Sequence, residues 1–201
     1  MKVSELFNVS GKVAVVTGGS RGIGEMISAG FLANGVKVYV TARKEEPLVK
    51  KAEELSNKYG GACIPIACDL SSSIGIDYFV KQISEKEESI DFLINNAGAA
   101  WGEPYNQFSE VGWDKVMDLN VKSLFFLTQK LTEMLKRNAS IDDPSRVINI
   151  GSIDGLNVPA FETYSYSTSK AAVHHLTRVM AARLVKENIL VNAIAPGPYP
   201  S

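Results

Sequence analysis

Short apolar runs alternate with longer amphipathic segments along this sequence. Each run is five or six residues long and rich in β-branched side chains, so we interpret the runs as buried strands rather than helices. Six such strands are predicted, at residues 12–17, 36–40, 62–67, 90–94, 146–150 and 189–194. Strands that alternate with helices in this way indicate βαβ units built around a parallel sheet.

The segments between the strands carry helix signals. Residues 24–34 and 46–59 predict helices, each followed by a glycine of the kind that commonly terminates a helix. Residues 109–136 predict a longer helix with one apolar face, and another helix follows Thr163. Residues 139–145 are polar and contain a proline, which predicts a surface loop.

Composition narrows the class of protein. The chain has 201 residues, of which 45% are hydrophobic, enough for one substantial core, so we predict a single domain over residues 1–201. Lys and Arg number 21 against 22 acidic residues, so no overall field attracts nucleic acid or an anionic membrane. We therefore expect neither of these partners.

The few cysteines and histidines add little chemistry. Cys63 and Cys68 are the only cysteines and lie in or beside an apolar run, which favours a reducing compartment over a disulfide framework. No stretch approaches the ~18 apolar residues of a membrane span, and we expect a cytoplasmic protein. His174 and His175 are adjacent without other potential ligands nearby in sequence, so we interpret them as packing or surface residues and predict no metal site.

The first predicted strand runs directly into a glycine-rich turn, Thr17–Gly24, and a helix begins at once. Gly18, Gly22 and Gly24 would let the backbone turn sharply and approach a pyrophosphate, whose charge would be met by amides at the helix N-terminus. The spacing is Gly-x-x-x-Gly-x-Gly rather than the general Gly-x-Gly-x-x-Gly dinucleotide fingerprint, and a merely tight strand-to-helix turn is the alternative.

The end of the second strand bears on the choice of cofactor. An acidic residue here would bind the ribose hydroxyls of NAD, but the strand ends Thr41-Ala42-Arg43-Lys44 and no carboxylate follows it before Glu45. Arg43, together with Arg21, would instead hold the extra phosphate of NADP through charge-assisted hydrogen bonds. Ordinary solvated arginines are the alternative, and we predict a preference for NADPH.

Six motifs occur in order at the ends of the predicted strands and on the predicted helices. They are the turn Thr17–Gly24, Asn95-Asn96-Ala97-Gly98, Asn120 in Leu119-Asn120-Val121, Ser152, Tyr166-Ser167-Thr168-Ser169-Lys170, and Pro196-Gly197. In this order they resemble the signatures of the short-chain dehydrogenase/reductase family, over almost the entire chain. Within the family, the pattern resembles reductases of 3-oxoacyl thioesters of the rhamnolipid-biosynthesis type.

The resemblance implies an α/β fold of the Rossmann type: a doubly wound parallel sheet flanked by helices on both faces, with the cofactor lying across the carboxyl ends of the strands. It implies that Asn95 lines the cofactor path and that Asp69 lies near the adenine, although Asp69 as a loop-capping residue is equally open. The residues expected to bind NADP(H) are Gly18, Ser20, Arg21, Gly22, Ile23, Gly24, Arg43, Asp69, Leu70, Asn96, Ala97, Gly98, Tyr166, Lys170, Pro196 and Gly197.

The predicted reaction is reduction of a ketone, which needs a hydride at carbon and a proton at oxygen. Tyr166 is the expected proton donor; a free phenol has a pKa of about 10, so it needs a neighbouring positive charge. Lys170, four residues later on the same helix face, supplies that charge, and the Ser152 hydroxyl would bind the substrate carbonyl. By resemblance, Asn120 holds a water in the proton path and Lys170 also contacts the nicotinamide ribose.

Two other functions stay open from the sequence: an NAD(P)-dependent alcohol dehydrogenase of another substrate class, and a non-catalytic cofactor-binding regulatory protein. The family resemblance also implies a small-molecule carbonyl substrate and a homodimer or homotetramer formed through residues 109–136 and 163–186, where core packing is the alternative use of the apolar residues.

Family members are expected to continue after Pro196-Gly197 into a substrate-covering loop, a further helix and a last edge strand, whereas this sequence ends at Ser201. The C-terminal edge of the sheet is therefore expected to be absent. We favour a longer enzyme of which this is a part over a shortened protein without useful turnover. An intact mass well above 21.8 kDa would indicate the longer enzyme.

Overall fold

The computed structural model describes residues 7–198, which form a six-stranded parallel sheet with the strand order β3-β2-β1-β4-β5-β6. The strands are β1 Val13–Thr17, β2 Lys37–Ala42, β3 Cys63–Ala67, β4 Phe92–Asn95, β5 Ser145–Ile150 and β6 Ile189–Ile194. All six predicted strands are present, each with bounds within two residues of the prediction. The order reverses between β1 and β4, as in a doubly wound Rossmann-like sheet, and this confirms the predicted fold class.

Helices cover both faces of the sheet. They are α1 Gly22–Ala33, α2 Glu45–Tyr59, α3 Ser73–Ser84, α4 Glu110–Met117, α5 Ser123–Lys136 and α6 Tyr164–Leu184. One apolar core joins β1 and β2 to α1 and α2, and a second lies between the other face and the helices α3, α5 and α6. The strands are apolar on both sides because each side packs under helices.

The edge strands differ from the central ones. Pro65 lies within β3, where the lack of an amide hydrogen is tolerated because β3 has one unpaired edge. At the opposite edge, β6 pairs only with β5 among the described residues. Leu190 and Ile194 on β6 are exposed.

Three features differ from the sequence prediction or reach beyond it. Helix α3 was not predicted at all. The predicted long helix at 109–136 is interrupted by a π turn at Asp118–Lys122, which joins α4 to α5 without breaking the helix. The single-domain prediction over residues 1–201 extends at both ends outside the described residues and stays a prediction. Within residues 7–198, no helix has the length and apolar character needed to cross a bilayer.

Candidate active site

A cleft of about 820 Å³ opens at the carboxyl ends of the strands, on the side where β1 and β4 meet. Open α/β sheets bind ligands at such a point because the chain connections leave it in opposite directions. The cleft is lined by most of the residues predicted to bind cofactor: Gly18, Ser20, Arg21, Gly22, Ile23, Arg43, Asp69, Leu70, Asn96, Ala97, Gly98, Tyr166, Lys170, Pro196 and Gly197. Ser152 lines it too, whereas Gly24 and Asn120 do not.

The turn between β1 and α1 has the shape of an anion site. Gly18 and Gly22 adopt φ values of 65° and 54°, a region that favours glycine. A side chain at Gly24 would overlap the Gly18 carbonyl group, so Gly24 allows α1 to pack onto the turn rather than touching the cleft itself. No side chain caps the first amides of α1 at Arg21, and these amides suit a phosphate.

Thr17 and Asn96 hold this turn against the loop after β4. The buried Thr17 hydroxyl accepts hydrogen bonds from the main-chain N–H groups of Asn96 and Ala97, each at 2.9 Å. In return, Asn96 Nδ2 donates to the carbonyl oxygens of Thr17 and Gly18 at 2.9 and 3.1 Å. The sequence prediction did not include Thr17, although a polar residue ending an otherwise apolar strand is a usable signal.

Asn95 was expected in the cofactor path, and this prediction is wrong. Its side chain is buried and donates to Asn149 Oδ1 at 2.9 Å and Thr128 Oγ1 at 3.0 Å. Side chains alternate between the faces of a strand, so Asn95 shares the face of Leu93 beneath α5. Asn149 Nδ2 donates in turn to Thr177 on α6, so this buried network ties α5 and α6 to the sheet.

Arg21 and Arg43 both line the cleft and are exposed. Neither guanidinium has an ion-pair or hydrogen-bond partner within residues 7–198. Asp69 takes the loop-capping role that the sequence left open. Its carboxylate accepts hydrogen bonds from Ser71 N at 3.0 Å and from Ser71 Oγ at 2.8 Å. It nevertheless lines the cleft.

Tyr166, Lys170 and Ser152 all line the cleft. Tyr166 and Lys170 lie one turn apart on α6, and Lys170 Nζ is 5.6 Å from the centroid of the Tyr166 ring. Ser152 follows β5, and its Oγ accepts a hydrogen bond from Asp154 N at 3.1 Å. Because that bond uses only a lone pair, the Ser152 hydroxyl hydrogen can still be donated to a ligand.

Lys170 is unusually buried for a charged side chain, with 6% exposure. Its Nζ donates to the Ile150 carbonyl oxygen at 2.7 Å. Loss of solvation by burial lowers the pKa of Lys170 to about 8. The amine is therefore mainly protonated at neutral pH, and its positive charge lies beside the Tyr166 ring.

Asn120 lies in the π turn and is buried. Its Oδ1 accepts from Ala99 N at 2.8 Å, and its Nδ2 donates to Ala99 O and to Ser169 Oγ, each at 2.9 Å. Ser169 Oγ donates to Tyr166 O at 2.7 Å. The Asn120 side chain thus links the loop after β4 to the helix turn that carries Tyr166. Both of its amide hydrogens are taken up by protein groups.

Part of the cleft lining is apolar. It includes Ala100, Pro159, Ala160 and Phe161, and Phe161 is 79% exposed. Tyr164 does not line the cleft; its ring packs against Tyr105 and Phe108. Among residues 7–198, no group of three or more His, Cys, Asp or Glu side chains is arranged to hold a metal ion.

Comparison with known proteins shows to which family this chain is similar. Residues 12–201 match the sequence model of the family described as short chain dehydrogenase. The chain is 46% identical over 195 residues to the rhamnolipids biosynthesis 3-oxoacyl-[acyl-carrier-protein] reductase of Pseudomonas aeruginosa, covering 97% of this chain and 75% of that protein. It is 34% identical over 190 residues to the 3-oxoacyl-[acyl-carrier-protein] reductase FabG of Aquifex aeolicus, covering 94% of this chain and 74% of that protein.

The fold comparison gives the same neighbour. The solved structure of the Pseudomonas aeruginosa RhlG/NADP active-site complex matches with a TM-score of 0.93 at 46% identity. The match covers 97% of this chain and 75% of that one.

Proposed function

The chain belongs to the short-chain dehydrogenase family, and from this premise we propose that it uses NADPH to reduce a ketone, namely a 3-oxoacyl thioester, to the secondary alcohol. One observation carries the proposal: the buried amine of Lys170 lies beside the Tyr166 ring in a cleft that is also lined by the glycine-rich turn between β1 and α1. This combination supports a working enzyme over a regulatory protein, which would not need a buried lysine next to a phenol.

The residues of the cleft fit NADPH. The glycine turn and the uncapped N-terminus of α1 suit the pyrophosphate, and the unpaired guanidinium groups of Arg21 and Arg43 suit the extra phosphate. The named neighbour from Pseudomonas aeruginosa is an NADP complex, which supports the same choice. When bound, the reduced nicotinamide supplies the hydride.

The protein side of the reaction is proton delivery to the ketone oxygen. We assign the donor role to the Tyr166 hydroxyl, whose phenolate the neighbouring Lys170 ammonium stabilises after the proton has left. The Ser152 hydroxyl donates a hydrogen bond to the same ketone oxygen and stabilises the charge that develops there. We assign Asn120 a supporting role, because it ties Ala99 to the turn of α6 that carries Tyr166.

The substrate class rests on two observations. The cleft lining includes apolar residues, among them Pro159, Ala160 and Phe161, which suit an acyl chain. Two relatives, at 46% and 34% identity, are named as reductases of 3-oxoacyl groups on acyl carrier protein.

Turnover of purified protein tests the proposal. We expect NADPH oxidation with a 3-oxoacyl thioester, and we expect Tyr166→Phe to reduce kcat by about 10³-fold or more, because it removes the proton and little else. The dissociation constant of NADPH should stay within about twofold, since the ring remains. Tyr164→Phe, two residues away, is the matched control. Substantial turnover by Tyr166→Phe would exclude the assigned donor.

We further propose that the chain forms one domain and assembles as a homodimer or homotetramer in the cytoplasm. Phe125 and Phe126 expose 37% and 40% of their areas on α5, and Val179 exposes 46% on α6, which supports pairing through these helices. The unpaired thiols of Cys63 and Cys68 fit a reducing compartment. Sedimentation equilibrium of the wild type and of Phe126→Lys tests the assembly; a wild-type monomer would exclude it.

A further inference from the structure

The two histidines of the chain are neighbours on α6 but have different surroundings. His175 is exposed, whereas His174 is half-buried and lies on the same helix face as Tyr166 and Lys170, one turn beyond Lys170. Its Nε2 lies 3.0 Å from the main-chain oxygen of Ser152. A carbonyl oxygen can only accept, so Nε2 must carry the hydrogen.

The imidazole of His174 is also packed against the backbone that leads to Ser152. A Cβ atom at Gly151 would overlap the imidazole, so the ring occupies the space that a side chain at residue 151 would need. This contact and the hydrogen bond together fix the distance between α6 and the end of β5. The sequence showed a glycine before Ser152 but not the ring that requires it.

The backbone around Ser152 is held from two sides. On the side of β6, Gly151 N donates to Ile194 O at 2.7 Å and Ile153 N donates to Pro196 O at 3.1 Å. On the side of α6, Lys170 Nζ donates to Ile150 O and His174 Nε2 to the oxygen of Ser152 itself. Lys170 and His174 therefore attach the end of β5 to the helix that presents Tyr166.

We propose that His174 is a positioning residue for the reduction: its hydrogen bond to the Ser152 carbonyl aims the Ser152 hydroxyl at the ketone oxygen to which Tyr166 delivers its proton. The inference rests on the proposed function. His174 touches neither substrate nor cofactor in this role; it sets the separation of two groups on different elements, β5 and α6, that must reach one oxygen atom.

Removal of the donor should lower kcat more than it changes binding. Small misplacement of a reacting group is enough for about 10²-fold loss, and loss of a whole oxyanion donor gives about 10²–10³-fold. We expect His174→Leu, which keeps much of the bulk without the donor, to lower kcat by about 10–100-fold while KM and the NADPH dissociation constant change by less than about threefold. His175→Leu is the matched control and should leave kcat unchanged.

A conservative variant separates the hydrogen bond from packing. In His174→Gln the amide Nε2 stands the same number of bonds from Cβ as the imidazole Nε2, so this variant should recover kcat to within about threefold of the wild type. His174→Asn has a shorter reach and should not recover it. If His174→Leu does not fold, His174→Asn takes its place, because its amide donor is too short to reach the Ser152 carbonyl oxygen; far-ultraviolet circular dichroism and NADPH binding check that it folds.

A double-mutant cycle tests whether His174 acts through Ser152. In a Ser152→Ala background the hydroxyl is already gone, so His174→Leu should lower kcat by no more than about twofold further. The same large loss in both backgrounds would overturn the proposal, and so would full kcat in His174→Leu alone.

A readout without turnover separates this inference from the proposed function. In His175→Gln, His174 is the one histidine of this sequence, and ¹⁵N NMR should show that its Nε2 carries a hydrogen. An Nδ1–H tautomer would overturn the His174 contact even in an active enzyme. A protein with the Nε2–H tautomer but no ketone reduction would instead overturn the proposed function.

Discussion

Replacement of Lys170 by methionine should stabilise the protein while it abolishes turnover. Burial lowers the pKa of Lys170 from 10.5 to about 8. Holding the buried amine in its charged form at neutral pH therefore costs on the order of 3 kcal/mol. Methionine has a similar length and no charge to desolvate.

The stability gained by removing the buried charge of Lys170 is partly offset by a lost hydrogen bond. The substitution removes the hydrogen bond from Lys170 Nζ to Ile150 O, whose loss destabilises by about 1–3 kcal/mol. We therefore expect Lys170→Met to raise the free energy of unfolding by about 1–2 kcal/mol at pH 7, which for a chain of this size corresponds to roughly 2–8 °C in Tm.

The pH dependence carries the sharper test. Below pH 8 the lysine is protonated in both states, and the full penalty is present. Between the folded pKa of about 8 and the unfolded value of 10.5, the unfolded chain binds more protons, so wild-type stability rises with pH by up to about 1.4 kcal/mol per unit. Lys170→Met lacks this gain. The excess of its free energy of unfolding over that of the wild type should therefore shrink from pH 8 upward and change sign near pH 9.

Urea unfolding without cofactor, followed by circular dichroism at half-unit steps from pH 7 to pH 10, measures this difference. Groups that titrate alike in both proteins do not contribute to the difference between their free energies of unfolding. Lys86→Met, at an exposed lysine, is the control and should show a difference from the wild type that does not change with pH. A Lys170→Met protein that is less stable than the wild type at pH 7, or a difference that is constant with pH, would refute the reasoning.

Three further predictions concern the cleft. Arg43→Ala should raise the dissociation constant of NADPH by about tenfold or more through the loss of a charge-assisted phosphate contact and leave that of NADH within about twofold, as fluorescence titration measures; tighter binding of NADH than of NADPH by the wild type would contradict it. Thr17→Val should destabilise the fold by about 2–4 kcal/mol in urea unfolding, because the Asn96 and Ala97 amides lose their acceptor; a neutral effect would show that these amides find other partners. Asp154→Asn should raise kcat/KM by about three- to tenfold for a ketone that carries a carboxylate but not for its neutral ester. The reason is that the Asp154 carboxylate lines the cleft without a partner within residues 7–198 and repels a negatively charged substrate. An equal change for both substrates would count against this prediction.

The sheet could be predicted from the sequence because its strands are short β-branched runs between helix signals. Helix α3 was missed, although Ser72 accepts from Gly75 N and is a regular N-cap; an exposed Ile74 in the first turn obscures the apolar stripe of Ile76, Phe79 and Ile83. The π turn at Asp118–Lys122 was not predictable, because its i→i+5 hydrogen bonds leave no local signal in the amino-acid composition.

The residues of the candidate site also divide into those with a local signal in the sequence and those without one. Glycines, arginines and the Tyr166–Lys170 pair have local signals: a turn, a strand end and a four-residue spacing. Strand parity would have placed Asn95 correctly, because it shares the face of Leu93 and so lies under α5. The contact between His174 and Ser152 joins two elements whose distance is set only by how α6 packs on β5, and nothing in the local sequence reports that distance.

The Thr17–Asn96 pair bears on how the whole sheet moves. The β1–β4 ladder spans three residue pairs, against six for β5–β6, and it is the seam between the two halves of the fold. Just past its end, Thr17 and Asn96 add five hydrogen bonds across the seam. These bonds fasten the half of the sheet proposed to bind the dinucleotide phosphates to the half proposed to carry the reacting side chains, so we expect the two halves to keep one relative orientation.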